Sequence, residues 1–287
     1  MDNQPRISAI AETLIQPSSG WVSLRLGELW DYRALLYFLV WRDIKVRYKQ
    51  TVLGASWAIL QPLLTMVVFT IFFGRVAQLG PEGIAYPIFS YAGLLPWTFF
   101  SLGLTQSSNS LVGSQNLIKK VYFPRLAIPI ASALAPAVDF VLAFLILFPM
   151  MAYYGTRPTA MVVWLPFLAL LAFGSALGAG LWLSALNVQF RDIRYVIPFF
   201  TQLLLFVTPV IYSTAEVAPK LEEMGIPVWI YALNPMVGVV EGFRWALLGL
   251  DAPIFSLVLT SSIATLVLLV TGLLYFRRME KTFADVV

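Results

Sequence analysis

The sequence predicts an all-α integral membrane protein with six transmembrane helices and both termini on the cytoplasmic side. An amphipathic interface helix precedes the first span, and short re-entrant outer helices precede the last. Three observations carry this reading. From Gln50 to Gly74 there are twenty-five residues without a charge, enough for a helix to cross a hydrocarbon core of roughly 30 Å. Charged residues make up only 12% of the chain and hydrophobic residues 59%, where a soluble domain carries about a quarter charged residues. The basic residues are also unevenly placed, as the pass along the chain shows.

Residues 1–20 of the expected tail 1–29 are polar, marked by Pro5, Pro17 and Gly20, and lack the short apolar core of a cleaved signal peptide. They read as a flexible cytoplasmic tail. Over 30–50, Trp30, Ala34, Tyr37, Phe38, Trp41, Ile44 and Tyr48 recur at three- and four-residue steps, one face of a helix. Arg42, Lys45 and Lys49 share another face. Aromatics beside a basic edge describe a helix lying in the membrane interface; a packed soluble helix is the plainer alternative. Arg42, Lys45, Arg47 and Lys49 are expected on the cytoplasmic side.

The transmembrane domain is expected over 51–278, with a short cytoplasmic tail at 279–287. Its spans are Ala55–Gly74, Ile88–Val112, Leu126–Tyr153, Met161–Leu186, the short Tyr195–Tyr212, and Pro253–Phe276. With both termini inside, fifteen of the nineteen Lys and Arg residues fall on the cytoplasmic side. Only Arg75, Arg157, Lys220 and Arg244 lie outside, the bias that the positive-inside rule describes. This placement explains the net charge of +4 without a nucleic-acid partner.

Two connections stand out. The inner loop Gly113–Arg125 mixes lysines with Leu117, Ile118, Val121, Tyr122 and Phe123, more apolar surface than a polar turn needs. It fits a short helix docking in a partner's groove, or an interfacial loop anchored by aromatics. The outer connection Ser213–Ala252 holds a polar helix ending at Glu222–Gly225, then a start at Asn234-Pro235. Met236–Leu250 is too short to span. It fits short helices dipping into the outer leaflet, with Glu241 and Arg244 paired at i, i+3. Such irregular backbone is tolerated where it is buried in protein or lines a water-filled cavity. The stretch is an outer-gate candidate, or else a simple extracellular cap.

Chemistry that is missing narrows the function. The chain has no histidine and no cysteine, which removes histidine bases, thiol nucleophiles and the commonest metal ligands. None of the six lysines follows a glycine, so no Gly-Lys-Ser/Thr phosphate loop exists. Asp139 is the single acidic residue within the expected spans, thin support for an ion-coupled carrier. It fits a helix–helix contact to neighbouring hydroxyls or backbone better than a proton relay. Energy must then arrive through contacts, at the interface helix and the aromatic inner loop.

Four stretches, in this order, resemble the permease subunit of type-2 ABC exporters, in the branch that exports lipid-linked polysaccharides such as O-antigen, capsule or teichoic acid. They are RDIKVRYKQTVLGASWAILQPLLTMVVFTIFFG, NLIKKVYFPRLAIP, NVQFRDIRYVIPFFTQLLLFVTPVIYS and LNPMVGVVEGFRWALLG. The resemblance implies a non-enzymatic homodimer joined to two cytoplasmic ATPase subunits, which would bind the ATP and magnesium; this chain would hold no cofactor or metal. The cargo implied is a polyprenyl-linked glycan. A coupling helix would lie at Ser114–Pro124, where Asn116, Leu117, Ile118, Lys119, Lys120, Tyr122 and Phe123 would meet the ATPase. The first and fifth spans would line the path and the Asn234–Leu250 helices would gate it through Asn234, Pro235, Glu241 and Arg244.

Sugar faces stack on aromatic rings, and the path helices offer them. Tyr195, Phe199 and Phe206 form one stripe, and Phe69, Phe72 and Phe73 fill the outer half of the first span; packing or lipid contact explains them equally simply. Arg191, Asp192 and Arg194 repeat the pattern of Arg42, Asp43 and Lys45; anionic lipid head groups or the pyrophosphate of a polyprenyl-linked glycan would attract them, but ordinary positive-inside anchoring explains them without substrate. The direct join Thr51–Gly54 reads as a mechanical link bending at Gly54, which Gly54→Pro should uncouple. Two other classes stay open: a permease of the same fold for a drug, peptide or small lipid, and an ion-coupled lipid-glycan flippase.

Overall fold

The computed structural model describes residues 26–49, 54–250, 253–280 and 283. Among them the chain is helical throughout, without strands. Thr51–Leu53, most of the expected N-terminal tail, Lys281 and residues 284–287 lie outside the described residues.

A short helix, α1 (Leu26–Asp31), leads into α2 (Arg33–Tyr48), so helix begins a few residues before the expected Trp30. Helix α2 packs on the bundle by a face other than its aromatic one. Leu39 is buried, packing with Ala127 and Ala131, while Trp30, Tyr37, Phe38 and Trp41 stay exposed. Exposed aromatics on an otherwise anchored helix suit the lipid interface.

Among the described residues, five helices are long and apolar enough to cross a membrane. The first is α3 (Ser56–Phe69), continuing without a break as a π-helical turn over Thr70–Val76. Its wider winding shows in the bond from the Ala77 amide to the Phe72 carbonyl, 3.0 Å. The second, α4 (Tyr86–Gly113), opens with Pro87 in the first turn, where a missing amide hydrogen costs nothing. After α5 (Gln115–Lys120) the third span comes in two pieces, α6 (Ala127–Leu134) and α7 (Ala137–Tyr153). Pro136 lacks the amide that would continue the ladder, and the break falls there. A 3₁₀ turn (Ala160–Trp164) precedes α8 (Leu165–Gln189), and α13 (Ile254–Met279) closes the bundle.

The fifth expected span is shorter than foreseen. Helix α9 (Ile193–Val207) has 15 residues, about 22 Å at 1.5 Å per residue, short of the ~20 residues that a full crossing takes. Thr208 leaves the helix in extended conformation, and residues 208–213 follow as turns. Three further helices stand before α13: α10 (Thr214–Glu223), α11 (Val228–Tyr231) and α12 (Pro235–Leu248). The expected break at Glu222–Gly225 is present, with Gly225 at φ 73°.

Helix α4 sits at the centre, packed by α3, α6, α7, α8, α9 and α12. Its contact with α8 carries polar bonds: the Asn187 amide donates to the Ser108 carbonyl at 3.0 Å and to Asn109 Oδ1 at 3.1 Å. Helix α8 in turn holds α13 through Ser175–Thr265 hydroxyls at 2.8 Å and a Trp182–Tyr275 stack at 4.2 Å. Small and hydroxyl-bearing residues at the seams let helices approach closely when lipid offers no hydrophobic drive.

Candidate functional site

Three regions hold the residues singled out from the sequence. At one end of the bundle, α5 stands beside the C-terminal end of α13. Its seven coupling candidates divide sharply. Ile118 and Phe123 are buried in a cluster with Leu111, Leu126, Phe276 and Phe283. Asn116, Lys119, Lys120 and Tyr122 are exposed, and Leu117 is half-buried. A six-residue helix is marginal alone, so these two anchors fix it while the rest of its surface stays free to meet something else. Leu29 and Leu35 of α1 and α2 pack on the same cluster, which gathers both cytoplasmic pieces expected to receive force.

Helix α2 is fastened further along by charge. Asp43 accepts from the Ser132 hydroxyl at 3.0 Å and from Arg42 at 2.8 Å. Asp139, on α7, pairs with Arg47 and accepts from the Tyr48 hydroxyl. Burial, and then the bond to Asp139, raise the Tyr48 phenol above its ordinary range, keeping it a donor. Asp139 thus makes the helix–helix contact expected of it, through a neighbouring hydroxyl. Its ionic partner Arg47 was expected only as a flanking charge. Nothing local to Arg47 signals a partner 92 residues away. Between this clasp, α3 and α4 lies a cavity of about 250 Å³ edged by Trp57, Gln61 and Thr98.

The aromatic path residues sit on two helices that flank α4. On α9, Tyr195, Phe199 and Phe206 are 67%, 63% and 54% exposed, one stripe facing away from the chain. Arg194 lies over the Tyr195 ring at 4.7 Å and donates to its hydroxyl at 2.8 Å. Along α3 the trio separates: Phe72 is exposed, Phe69 is buried and meets Phe73 edge-on at 5.5 Å. Helices α3 and α9 each pack on α4, leaving both outer faces uncovered.

At the opposite end, Asn234 caps α12, its side chain accepting from the Met236 amide at 3.1 Å. Pro235 takes the first helical position. Asn234 also donates to Thr208 at 2.9 Å. Glu241 and Arg244 pair at 3.3 Å as the spacing predicts, but both are fully buried. Arg244 is the hub. Its guanidinium donates to the carbonyls of Pro209 (2.5 Å), Val210 (2.6 Å), Tyr212 (2.9 Å) and Phe89 (3.3 Å). The carbonyls of Pro209, Val210 and Tyr212 lie where the chain has left α9 and Phe89 lies on α4, and five fixed donors in a planar fork suit acceptors so arranged. Glu241 accepts from the Thr214 amide at 2.9 Å and its hydroxyl at 3.1 Å.

Gly93 on α4 makes the seat possible: a Cβ there would stand 2.8 Å from Arg244 Nη2. Tyr86 and Tyr231 complete the fastening, donating to the carbonyls of Ile211 (2.7 Å) and Val207 (2.6 Å). Burial and then the bond with Tyr212 raise the Tyr231 phenol above its usual range. The irregular backbone here is therefore buried in protein, the first of the two conditions that tolerate it. The carbonyls that Arg244 holds lie 32 to 155 residues away in sequence, and nothing local signals them. Among the described residues no group of three or more His, Cys, Asp or Glu could hold a metal.

A family model described as ABC-2 type transporter matches residues 34–248. The chain is 31% identical over 217 residues to the O-antigen export system permease protein RfbA of Myxococcus xanthus, covering 76% of this chain and 81% of that one. It is 27% identical over 263 residues to the Klebsiella pneumoniae protein of the same name, covering 91% and 96%. To the polysialic acid transport protein KpsM of Escherichia coli it is 27% identical over 221 residues, covering 72% and 78%.

Proposed function

The chain belongs to the ABC-2 type transporter family, and from that premise we propose that it is the transmembrane subunit of an ATP-driven polysaccharide exporter. It is a multi-pass protein of the cytoplasmic membrane and a transport subunit, with ATP hydrolysed by a separate partner. The named relatives are permeases or transport proteins for O-antigen or polysialic acid. The single observation in the fold that carries this reading is the division of α5 and the loop after it into a buried pair, Ile118 and Phe123, and an exposed face of Asn116, Lys119, Lys120 and Tyr122. A partner gripping that face can move α5, and the anchored side passes the motion into the bundle.

The finer reading is a homodimer with two ATPase subunits carrying a polyprenyl-linked glycan. Both termini lie inside and the chain crosses six times. What supports the sixth crossing is where α9 begins and ends. Gln189, the last residue of α8 and four positions before α9, approaches Met279 at the α5 end of the bundle. The segment after it, through Ile211, is held by Tyr86 at the opposite end. Helix α9 and its unwound extension together make the traverse that α9 alone is too short to make.

In this reading, the uncovered faces of α3 and α9 meet their dimer mates. The stripe Tyr195, Phe199 and Phe206 then faces sugar. Helices α10 to α12 form the outer gate, dipping into the outer leaflet, with Asn234, Pro235, Glu241 and Arg244 as its frame. The experiment is co-purification with the ATPase, followed by addition of the lipid-linked glycan extracted from the producing cell. Stimulated ATP hydrolysis is expected; no bound ATPase, or hydrolysis indifferent to the glycan, would overturn the proposal.

A further inference from the structure

At the foot of α13, Arg277 Nη1 pairs with Glu280 Oε2 at 2.6 Å, which turns the carboxylate inward. Glu280 Oε1 then accepts from the Arg125 amide at 3.3 Å, and its carbonyl accepts from the Arg125 guanidinium at 2.5 Å. Arg125 closes the loop that carries α5. Three residues on, Phe283 is fully buried, edge-on to Phe276 at 5.2 Å and clustered with Ile118 and Phe123. Those are the two residues that anchor α5.

Helix α5 cannot hold its own pose. It has six residues, Ser114 caps it without a side-chain bond, and Ile118 is its one buried side chain. A helix this short draws its order from what it packs on. Much of that support comes from the far end of the chain. Helix α13 runs along α8 and reaches α12, the helix that carries Arg244. A push on α5 therefore has a solid route through Phe283 and Glu280 into α13, beside the covalent route into α4 and α6.

We propose that Glu280 and Phe283 are positioning residues that hold α5 in the pose from which ATPase movement passes to the membrane helices. This rests on the reading that α5 docks the ATPase. Packing alone would stabilise the fold; positioning predicts a specific uncoupling, in which ATP is still hydrolysed but less glycan moves per ATP. Positions that carry coupling without touching a ligand shift it by amounts that a ratio of activities can read.

The test uses the whole exporter complex. The chain has no cysteine, so Val121→Cys, on the exposed loop beside α5, takes a single nitroxide label, with Val163→Cys at the opposite end as control. Surface polysaccharide is labelled on periodate-oxidised sugars of intact cells and divided by ATP hydrolysis in vesicles from the same cells. Glu280→Gln and Phe283→Ala are expected to loosen the nitroxide at 121 but not at 163. They should lower polysaccharide per ATP by about three- to tenfold with the ATPase still bound, and Phe283→Leu should restore most of it. An unchanged ratio overturns the proposal, whether all activities hold or fall together with protein yield. If Phe283→Ala fails to accumulate, Glu280→Gln and Phe283→Leu carry the same comparison. Lys119→Glu with Lys120→Glu separates the premise: retained ATPase binding there defeats docking at α5, while the nitroxide still reports whether the C-terminal turn holds it.

Discussion

Helices α4 and α3 are neighbours with opposite fates. Helix α4 has the lowest hydropathy of the five long helices, yet 78% of its spanning window is buried; α3 is more apolar, and only 6% of its window is buried. In water the order would be reversed. In a bilayer the apolar side chain already has an apolar solvent, so what drives a helix inward is close packing and the need to satisfy polar groups. Helix α4 meets α8 closely where Ser107 faces Gly180, and its Asn109 and the Ser108 carbonyl accept from Asn187. Helix α3 with its π-helical turn, like α9, presents aromatics outward, among them Trp57 and Phe72.

If that division is right, damage to the inside should cost fold and damage to the outside should cost only export. The largest loss is expected from Arg244→Ala, which leaves Glu241 buried without its cation and takes the guanidinium from the carbonyls of Pro209, Val210 and Tyr212. Removing one partner of such a pair costs about 3–5 kcal/mol, read as lost monodisperse protein in detergent and a lowered melting temperature. A wild-type melt would refute the hub.

Asp139→Ala should come next. It strands Arg47 and the Tyr48 hydroxyl between α2 and α7, at about 1.5–3 kcal/mol for hydrogen bonds to a charged group. The thermal melt checks it, and Asp139→Asn should recover part of the loss by keeping the Tyr48 bond.

Gly54→Ala is a smaller perturbation. The backbone there holds φ +50° with nothing within 4 Å of a Cβ, so only conformational strain of about 1–2 kcal/mol opposes it. Gly54→Pro cannot adopt that φ at all, and export should fail while the ATPase stays bound. Normal export by that variant would count against a bend at this point.

The smallest effect on the fold is expected from alanine at Tyr195, Phe199 and Phe206 together. All three are exposed, and surface substitutions usually stay within about 0.5 kcal/mol each. Export should nevertheless fall, with assembly and ATPase binding intact; full export by the triple variant would remove the stripe from the path.

The sequence made much of this legible because the controlling forces are local. A charge-free run longer than ~20 residues marks a span wherever it sits, and Asn234-Pro235 starts a helix through contacts within two residues. Even the Glu241–Arg244 pair follows from i, i+3 geometry. Its burial does not, because Arg244's acceptors come from α4 and from the unwound end of α9. The same holds for the face that α2 buries: its aromatic stripe is the stronger pattern, but Leu39 is the residue that fits against Ala127 and Ala131.

By itself the sequence determined that this is a helical membrane protein, which segments are apolar enough to enter lipid, and that no hydrolytic chemistry of a phosphate-loop or histidine kind is built into it. Each follows from composition and short-range order. Only the tertiary structure decided which helix is central, how Asp139 is neutralised, what cages Arg244 and what supports α5. Those outcomes depend on backbone carbonyls and close approaches between segments as much as 155 residues apart, and such contacts leave no periodic trace along the chain.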